Sequence, residues 1–169
     1  MSRRSGARSP TVAAIGIVLA AALMNALTVS PAQAQGNKSC ALLTPAEIEA
    51  ALGFKVALSP NALGGCMGPT PSRHMVSIEL KAAPIPGPDG QAQIVQAMKA
   101  HGIRMEFTTF GPVTCSTGIP QKPELPFGTN CSISKGGQTA IISVTAGSER
   151  EMVPLEKLRT LAEKMAPRL

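Results

Sequence analysis

The 169-residue chain contains no tryptophan and no tyrosine, and only four phenylalanines. Sites that bind sugars, nucleobases and other flat ligands commonly use the wide face and polar tip of tryptophan or tyrosine. The absence of both residues disfavours those ligand classes. A small aliphatic core also makes covalent cross-links more useful for stability.

Catalytic sequence patterns are also missing. The chain has a single aspartate, Asp89, and contains no G-x-S-x-G, H-E-x-x-H, P-loop or dinucleotide-binding glycine pattern. Asp89 lies just before a predicted helix, where it is better explained as a helix cap. We therefore expect no catalytic residues and no cofactor. An envelope enzyme of unknown type ranks third among the possible functions.

Residues 1–34 have the three-part pattern of a secretory signal peptide. Three arginines in the first eight residues form a basic region, an apolar run covers 12–29, and an A-x-A sequence covers 32–34. We predict cleavage before Gln35, which leaves one domain at 35–169. The alternative is an uncleaved membrane anchor. Because two of the arginines are adjacent, both the general and the twin-arginine export routes stay open.

Removing this segment changes the charge of the protein. The full chain has 16 Lys and Arg against 10 Asp and Glu, a net charge of +6. The signal peptide takes three arginines and no acidic residue, so 13 − 10 leaves +3 on the mature domain. This charge, without a Lys/Arg run, predicts neither nucleic-acid binding nor membrane contact after cleavage. We expect a monomer in the periplasm or exterior of a Gram-negative bacterium, with an unknown protein or envelope component as its partner.

Four cysteines, Cys40, Cys66, Cys115 and Cys131, follow the predicted cleavage site. An even number of cysteines in an exported chain indicates disulfide bonds. Three connectivities are possible, and loop-closure entropy favours Cys40–Cys66 with Cys115–Cys131, which close the two shortest non-overlapping loops. A faint internal repeat that would equate Cys66 with Cys115 keeps the other pairings open.

The spacing of the cysteines gives other roles less support. No C-x-x-C occurs, which disfavours a thioredoxin-like redox centre, and no close Cys or His pair is spaced for zinc. Lipidation of Cys40 would require a leucine and small residues directly before it, at the end of the apolar run. The sequence there is GNKSC, a full segment beyond that run.

Local signals predict three helices. Thr44 and Glu47 have the spacing of a capping box, a proline occupies the first helical position, and Gly53 is a left-handed stop. A second helix is predicted over 91–101, with the aspartate as its cap. A third helix follows Pro154 and carries an apolar stripe.

Alternating segments predict strands at 54–58, 74–82, 103–110, 129–135 and 138–147. The glycine pair at 136–137 predicts a hairpin turn between the last two. The order of elements is typical of α+β proteins rather than of regular β-α-β units. We therefore predict a small antiparallel sheet with two to three helices packed on one face, stabilised by disulfides.

Only two histidines occur, His74 and His101, and each lies near methionine. His74 precedes Met75, and His101 follows Met98 by three residues, a set of imidazole and thioether ligands that suits copper. Methionine as core filler and histidine as a cation at a helix end explain the same residues. The main prediction is therefore no metal site, and a periplasmic copper-handling protein ranks second.

The segment TGIPQKPELPFG, residues 117–128, is the most distinctive candidate contact surface. Prolines recur in it at every third position, which is the period of a polyproline II helix. If the flanking cysteines pair, the segment is a stiff loop that loses little entropy on binding a partner. The alternative is a proline-rich connector packed on its own sheet. The candidate partner-loop residues are Pro120, Pro123, Leu125, Pro126 and Phe127.

The stretch CALLTPAEIEAALG resembles the opening of several uncharacterised exported bacterial families, among them actinobacterial lipoproteins of unknown function. In those families a Cys-x-Leu-Leu-Thr-x-x-Glu segment begins a small α+β domain with a second cysteine. This chain departs from them in lacking a lipobox, and it has Cys66-Met67-Gly68 where they tend to place a tryptophan. The resemblance implies a fold type and a bacterial envelope setting, but no activity.

The leading hypothesis from the sequence is a non-catalytic binding or interaction module of the bacterial envelope. Export, paired cysteines and the lack of catalytic patterns all favour it over the copper-handling and enzymatic alternatives.

Overall fold

The computed structural model describes residues 38–169, so the predicted signal peptide and its cleavage site lie outside the described residues. This part of the chain forms one antiparallel sheet of seven strands in the order β1-β2-β3-β7-β6-β5-β4. The strands are β1 Ser59–Pro60, β2 Cys66–Pro69, β3 Met75–Lys81, β4 Ile103–Phe110, β5 Val113–Pro120, β6 Phe127–Lys135 and β7 Gln138–Ala146. The helices are α1 Pro45–Leu52, α2 Pro88–Ala100 and α3 Leu155–Met165, with 3₁₀ turns at Glu149–Glu151 and Ala166–Arg168 and a helical turn at 38–41.

The predicted α+β class is confirmed, but the sheet is larger than predicted. The sequence pattern does not identify β2 or β5, because glycine, proline and cysteine interrupt their alternation. The predicted strands at 103–110, 129–135 and 138–147 correspond to β4, β6 and β7.

The segment 54–58, predicted as a strand, forms no regular secondary structure and has no ladder partner, and pairing begins only at β1. Val56 is buried, as expected for the side of the segment predicted to face inward. The segment crosses β2 at Gly68, where an added Cβ would lie 2.8 Å from the carbonyl carbon of Ala57. Because only glycine allows this close approach, the segment packs across β2 instead of pairing with it.

The cross-strand register places one row of core residues across five strands. Cys66, Ile78, Ile142, Cys131 and Cys115 are successive partners from β2 to β5, and all five are fully buried. Directly paired residues share a face of the sheet. This row therefore defines the core face, and it includes one half of the first disulfide and both halves of the second.

Two helices cover the core face. α3 packs on β5, β6 and β7, and α1 packs on α3. The predicted apolar stripe of α3 is confirmed, since Leu158, Leu161, Ala162 and Met165 are buried. Burial of a leucine-sized side chain contributes about 2 kcal/mol, so this helix supplies much of the core.

The second helix lies on the opposite face. Four side chains of β4 are half-buried. Phe110 lies on the core face, whereas Ile103, Met105 and Phe107 point away from the face of the disulfides. Met105 lines a groove together with Val95 of α2, so α2 lies over this opposite face at the β4 edge. Two helices therefore share one face, within the predicted two to three, whereas α2 lies on the other face. None of the thirteen residues of α2 is buried, because the helix packs on a single edge strand.

Small polar side chains form the middle of that face. Ser77, Ser143, Asn130 and Ser116 form a row of direct partners across β3, β7, β6 and β5. An antiparallel sheet with one apolar and one polar face is typical when one side is covered and the other is solvated.

Both disulfides have the sequential pairing that loop closure favours, which confirms the sequence-based preference. Cys40–Cys66 ties the helical turn at 38–41 to β2, and Cys115–Cys131 joins opposite residues of β5 and β6. Hydrogen-bonded and non-hydrogen-bonded pairs alternate along an antiparallel ladder, starting with a hydrogen-bonded pair beside the two-residue turn at 136–137. Counting from that turn, Cys131 and Ile142 of β7 form a hydrogen-bonded pair. The contact of Cys131 with Cys115 is then a non-hydrogen-bonded pair, where Cα atoms lie closest, here 4.0 Å.

The predicted helix ends are mostly confirmed. Thr44 and Glu47 form the capping box, and Gly53 ends α1 with φ of 83°. α2 differs, because its N-cap is Gly87 and Asp89 lies inside the first turn without a side-chain capping bond. The proline that follows Gly87 begins this helix three residues earlier than predicted, since its fixed φ suits the first helical position.

The C-terminal end of the chain is tied to α1 by Arg168. Its guanidinium donates to both carboxylate oxygens of Glu47, at 2.9 and 2.6 Å, and to the carbonyl oxygen of Leu42 at 2.6 Å. The hydrogen bonds from Arg168, and after them that from the N–H of Thr44, lower the pKa of Glu47 from 4.5 to about 2. The carboxylate therefore stabilises the fold in its ionised form.

This contact predicts an acid-dependent loss of stability. A carboxyl group whose pKa is lower in the folded state contributes fully above its unfolded pKa and loses that contribution as the pH falls from 4.5 towards 2. We expect Glu47→Gln to lower the free energy of unfolding at pH 7 by about 1 kcal/mol, because the ion pair is partly solvated. The variant should also flatten the decline between pH 4.5 and 2. Urea unfolding across this range measures both effects.

The control is Glu163→Gln, which removes the more exposed ion pair with Arg159. We expect this control to change stability by less than about 0.5 kcal/mol. Equal effects of the two substitutions would contradict the role given to Glu47.

Candidate functional site

His74 lies at the centre of a hydrogen-bonded network in the β2–β3 turn. Its Nε2 is 2.8 Å from the carbonyl oxygen of Glu151, so Nε2 carries the proton and donates. Its Nδ1 then accepts from the hydroxyl of Ser72 at 2.9 Å, and Ser72 lies 3.0 Å from the hydroxyl of Thr70. The N–H of His74 donates back to Thr70 at 3.0 Å, and the imidazole stacks on Phe54 with centroids 4.8 Å apart.

A serine hydroxyl bonded to an imidazole is also the beginning of a nucleophilic Ser-His arrangement. Here the other imidazole nitrogen binds a main-chain carbonyl group, where such an arrangement would have an orienting carboxylate. The N–H groups of Arg73 and His74 both donate to Thr70, although an oxyanion site needs free donors beside the nucleophile. The network therefore supports a structural role, which is to join the β2–β3 turn to the 3₁₀ turn at Glu149–Glu151.

The four candidate copper ligands lie in two separate places. His74 and Met75 are at the start of β3, whereas Met98 and His101 are at the C-terminal end of α2, beside β4. Three strands lie between β3 and β4, so the two pairs are roughly 19 Å apart at ordinary strand spacing. Residues 38–169 contain no group of three or more His, Cys, Asp or Glu that could hold a metal ion. The fold does not assemble these residues into one site.

The candidate partner loop is the tip of the β5–β6 hairpin. Pro120 ends β5 and Phe127 begins β6, and the N–H of Leu125 donates to the carbonyl of Lys122 at 3.2 Å. This is a β-turn, so the polyproline II conformation predicted for the segment is wrong. The reason is tertiary, because pairing of the two strands brings the ends of the tip together.

The apolar side chains at this tip are less exposed than those of a projecting contact surface would be. Leu125 and Phe127 are half-buried, while Pro123 and Pro126 are exposed. The apolar pair expected at the contact surface is thus only partly accessible to solvent. Its role in binding a partner stays a prediction.

A second loop, which we call the Leu63 loop and define as residues 61–65, joins β1 to β2. The Asn61 side-chain oxygen accepts from the N–H groups of Leu63 and Gly65, both at 2.9 Å. Main-chain bonds join Asn61 and Gly65 at 2.9 Å, and Gly64 and Asn61 at 3.2 Å. The fully buried Ser39 donates to the carbonyl of Gly64 at 3.1 Å. Five hydrogen bonds and the neighbouring Cys40–Cys66 disulfide therefore fix the backbone of this loop.

Leu63 projects from this fixed loop into solvent. Its exposed fraction is 93%, while Met75, the next most exposed large hydrophobic side chain of the described residues, has 36%. Single exposed leucines are common on protein surfaces. Here five hydrogen bonds hold the backbone of the loop and keep the side chain from turning inward.

A cavity of about 170 Å³ lies directly beside Leu63. Backbone of Gly64 and Gly65 forms one wall, and the end of β3 forms the other, with Leu80 between two charged residues. These charged residues, Glu79 and Lys81, form an ion pair of 3.0 Å at the rim. The surface thus combines a projecting apolar side chain, a recess and a charged border.

Sequence reasoning identifies residues 59–65 only as turn-forming residues before Cys66. The one feature of the sequence that could have indicated this site is the leucine inside NALGG, an apolar residue among turn-forming residues. Its exposure depends on the bonds of Asn61 and Ser39, and contacts of this kind do not follow from periodicity.

Comparisons with known proteins identify no relative: no family model, no curated protein and no solved structure matches this chain. No helix within residues 38–169 is long and apolar enough to cross a membrane. The function must therefore be inferred from the geometry of the chain itself.

The structural role of His74 can be tested by substitution. His74→Ala removes the stack on Phe54 and leaves the Ser72 hydroxyl and the Glu151 carbonyl without their partner. We expect the free energy of unfolding to fall by about 2 kcal/mol, measured by urea denaturation. The matched control, His101→Ala at an exposed helix end, should change it by less than about 0.5 kcal/mol. An unchanged stability of His74→Ala would contradict the structural role.

Proposed function

We propose that this protein is an exported, non-catalytic interaction module of the bacterial envelope that binds a protein partner through the Leu63 loop. The observation that carries the proposal is the 93% exposure of Leu63 on a loop whose backbone is held by hydrogen bonds and flanked by a disulfide.

The energetics favour such a loop as a contact. Transfer of a fully exposed leucine side chain into an apolar recess of a partner contributes about 2 kcal/mol. A loop that is already ordered loses little conformational entropy on binding, so more of this contribution remains in the affinity. The chain has no tryptophan or tyrosine, which are among the side chains that most often anchor interfaces. Leu63 is the most exposed large hydrophobic side chain of the described residues.

The surroundings of Leu63 match the anatomy of a small interface. Ala62 and Pro60 are exposed beside it, and Glu79 and Lys81 lie at the border. An apolar centre with a charged rim is the usual arrangement at protein contacts. A sugar or nucleobase site would call for aromatic platforms, which this surface does not have.

Two features support a location outside the cytoplasm. All four cysteines are oxidised in the fold, and disulfides of this kind persist in oxidising compartments. The sequence of residues 1–34 has the pattern of a signal peptide. We therefore place the protein in the periplasm or outside the cell.

A photo-crosslinking amino acid at position 63 tests the proposal in envelope extracts of a producing bacterium. We expect a discrete cross-linked protein adduct from position 63 and none from the exposed helix position Ala92. An excess of wild-type protein should compete for the adduct, whereas excess Leu63→Asp should not. Because the side chain is almost fully exposed, Leu63→Asp should change the free energy of unfolding by less than about 0.5 kcal/mol.

The matched competitor is Ala92→Asp, which adds the same charge on a distant exposed surface and should compete as well as the wild type does. Identical adducts from positions 63 and 92, or equal competition by both aspartate variants, would contradict the proposal.

A further inference from the structure

We infer that the partner bound by the Leu63 loop is a second copy of this chain, in a two-fold symmetric dimer. The inference rests on the proposed function and adds the identity of the partner. Its basis is that a projecting side chain and a recess adjoin each other on one surface. Two-fold contacts use the same patch on both subunits, so such a patch must be complementary to itself.

The shape of the surface meets this requirement. Leu63 is 93% exposed, and the cavity of about 170 Å³ that it borders is large enough to receive an isobutyl group. Gly64 and Gly65 present only backbone to that cavity, and Leu80 lines it as well. In a two-fold arrangement, Leu63 of each copy enters the recess of the other.

The charges at the rim also meet the requirement that the patch is complementary to itself. Glu79 and Lys81 line the same cavity, are 44% and 55% exposed, and lie 3.0 Å apart as an ion pair. A patch with one charge of each sign is complementary to its own image under a two-fold rotation. Across the dimer axis, Glu79 of each copy then faces Lys81 of the other.

The dimer differs from the monomer expected from composition, because composition does not show that an apolar side chain stands beside a recess. The contact is small, and interfaces at the low end of the size range are weak and transient. We therefore expect self-association only at high protein concentration. Sedimentation equilibrium up to about 1 mM covers the range of weak dissociation constants.

For the exported wild-type protein, the weight-average mass should rise from monomer towards dimer with concentration. Leu63→Asp should weaken dimerisation at least tenfold, since two leucines leave their recesses at once, whereas Ala92→Asp should leave it unchanged. Loss of dimerisation in both aspartate variants would show a non-specific charge effect and would overturn the inference.

Reversing the charge of Glu79 or of Lys81 distinguishes a two-fold symmetric dimer from other modes of self-association. Glu79→Lys alone and Lys81→Glu alone each place like charges opposite each other at both ends of the contact, so each variant should dimerise at least tenfold more weakly. In an equimolar mixture of the two variants, every facing pair is again opposite in charge. The mixed dimer should form within about threefold of the wild-type affinity. A mixture no tighter than its separate components would overturn the inference. Thermal unfolding of each variant checks that the fold is retained.

The same set of measurements separates this inference from the function on which it rests. A wild-type protein that is monomeric up to about 1 mM, with a Leu63-dependent adduct to a different protein, overturns the second-copy inference and leaves the proposed function intact. A monomer without any Leu63-dependent adduct overturns both.

Discussion

The Cys40–Cys66 disulfide is the contact on which the proposed contact surface depends. It closes a ring between two cysteines 26 positions apart, and the ring contains α1, the segment 54–58, β1 and the Leu63 loop. Within this ring only Ser59–Pro60 and Cys66 itself belong to strands, so the sheet ladder does little to order it. Covalent closure removes much of the conformational freedom that the sheet leaves there, and local caps and side-chain bonds remove the remainder.

The two ends of the ring have different roles. At one end, the capping box and the Arg168 contact hold a helix of only eight residues against α3, because a helix this short is not stable alone. At the other end, Ser39 and Asn61 hold the Leu63 loop outward. The short helix that packs on the core and the proposed contact loop therefore share one covalent constraint.

The sequence predicts local features well and tertiary placement poorly. The capping box, the Gly136–Gly137 turn, the stripe of α3 and the disulfide pairing depend on neighbours in sequence or on loop length, and the structure confirms them. The β-turn at Leu125, the position of α2 on the opposite face and the unpaired segment 54–58 depend on which strands meet, and no local pattern contains that information. The candidate site also depends on tertiary placement. The exposure of Leu63 is decided by the hydrogen bonds of two polar side chains, Asn61 and Ser39, and Ser39 lies 25 positions away from its acceptor.

A contact surface of this kind requires that the Leu63 loop is ordered before any partner binds, and we expect the Cys40–Cys66 disulfide to order it. Amide hydrogen exchange of the free protein measures this directly. The N–H groups of Leu63 and Gly65, which donate to Asn61, should be protected in the wild type and lose protection in Cys40→Ser/Cys66→Ser, while amides of the β5–β6 hairpin remain protected. Exchange of the two loop amides at the rate of an unstructured peptide in the wild-type protein would contradict the account.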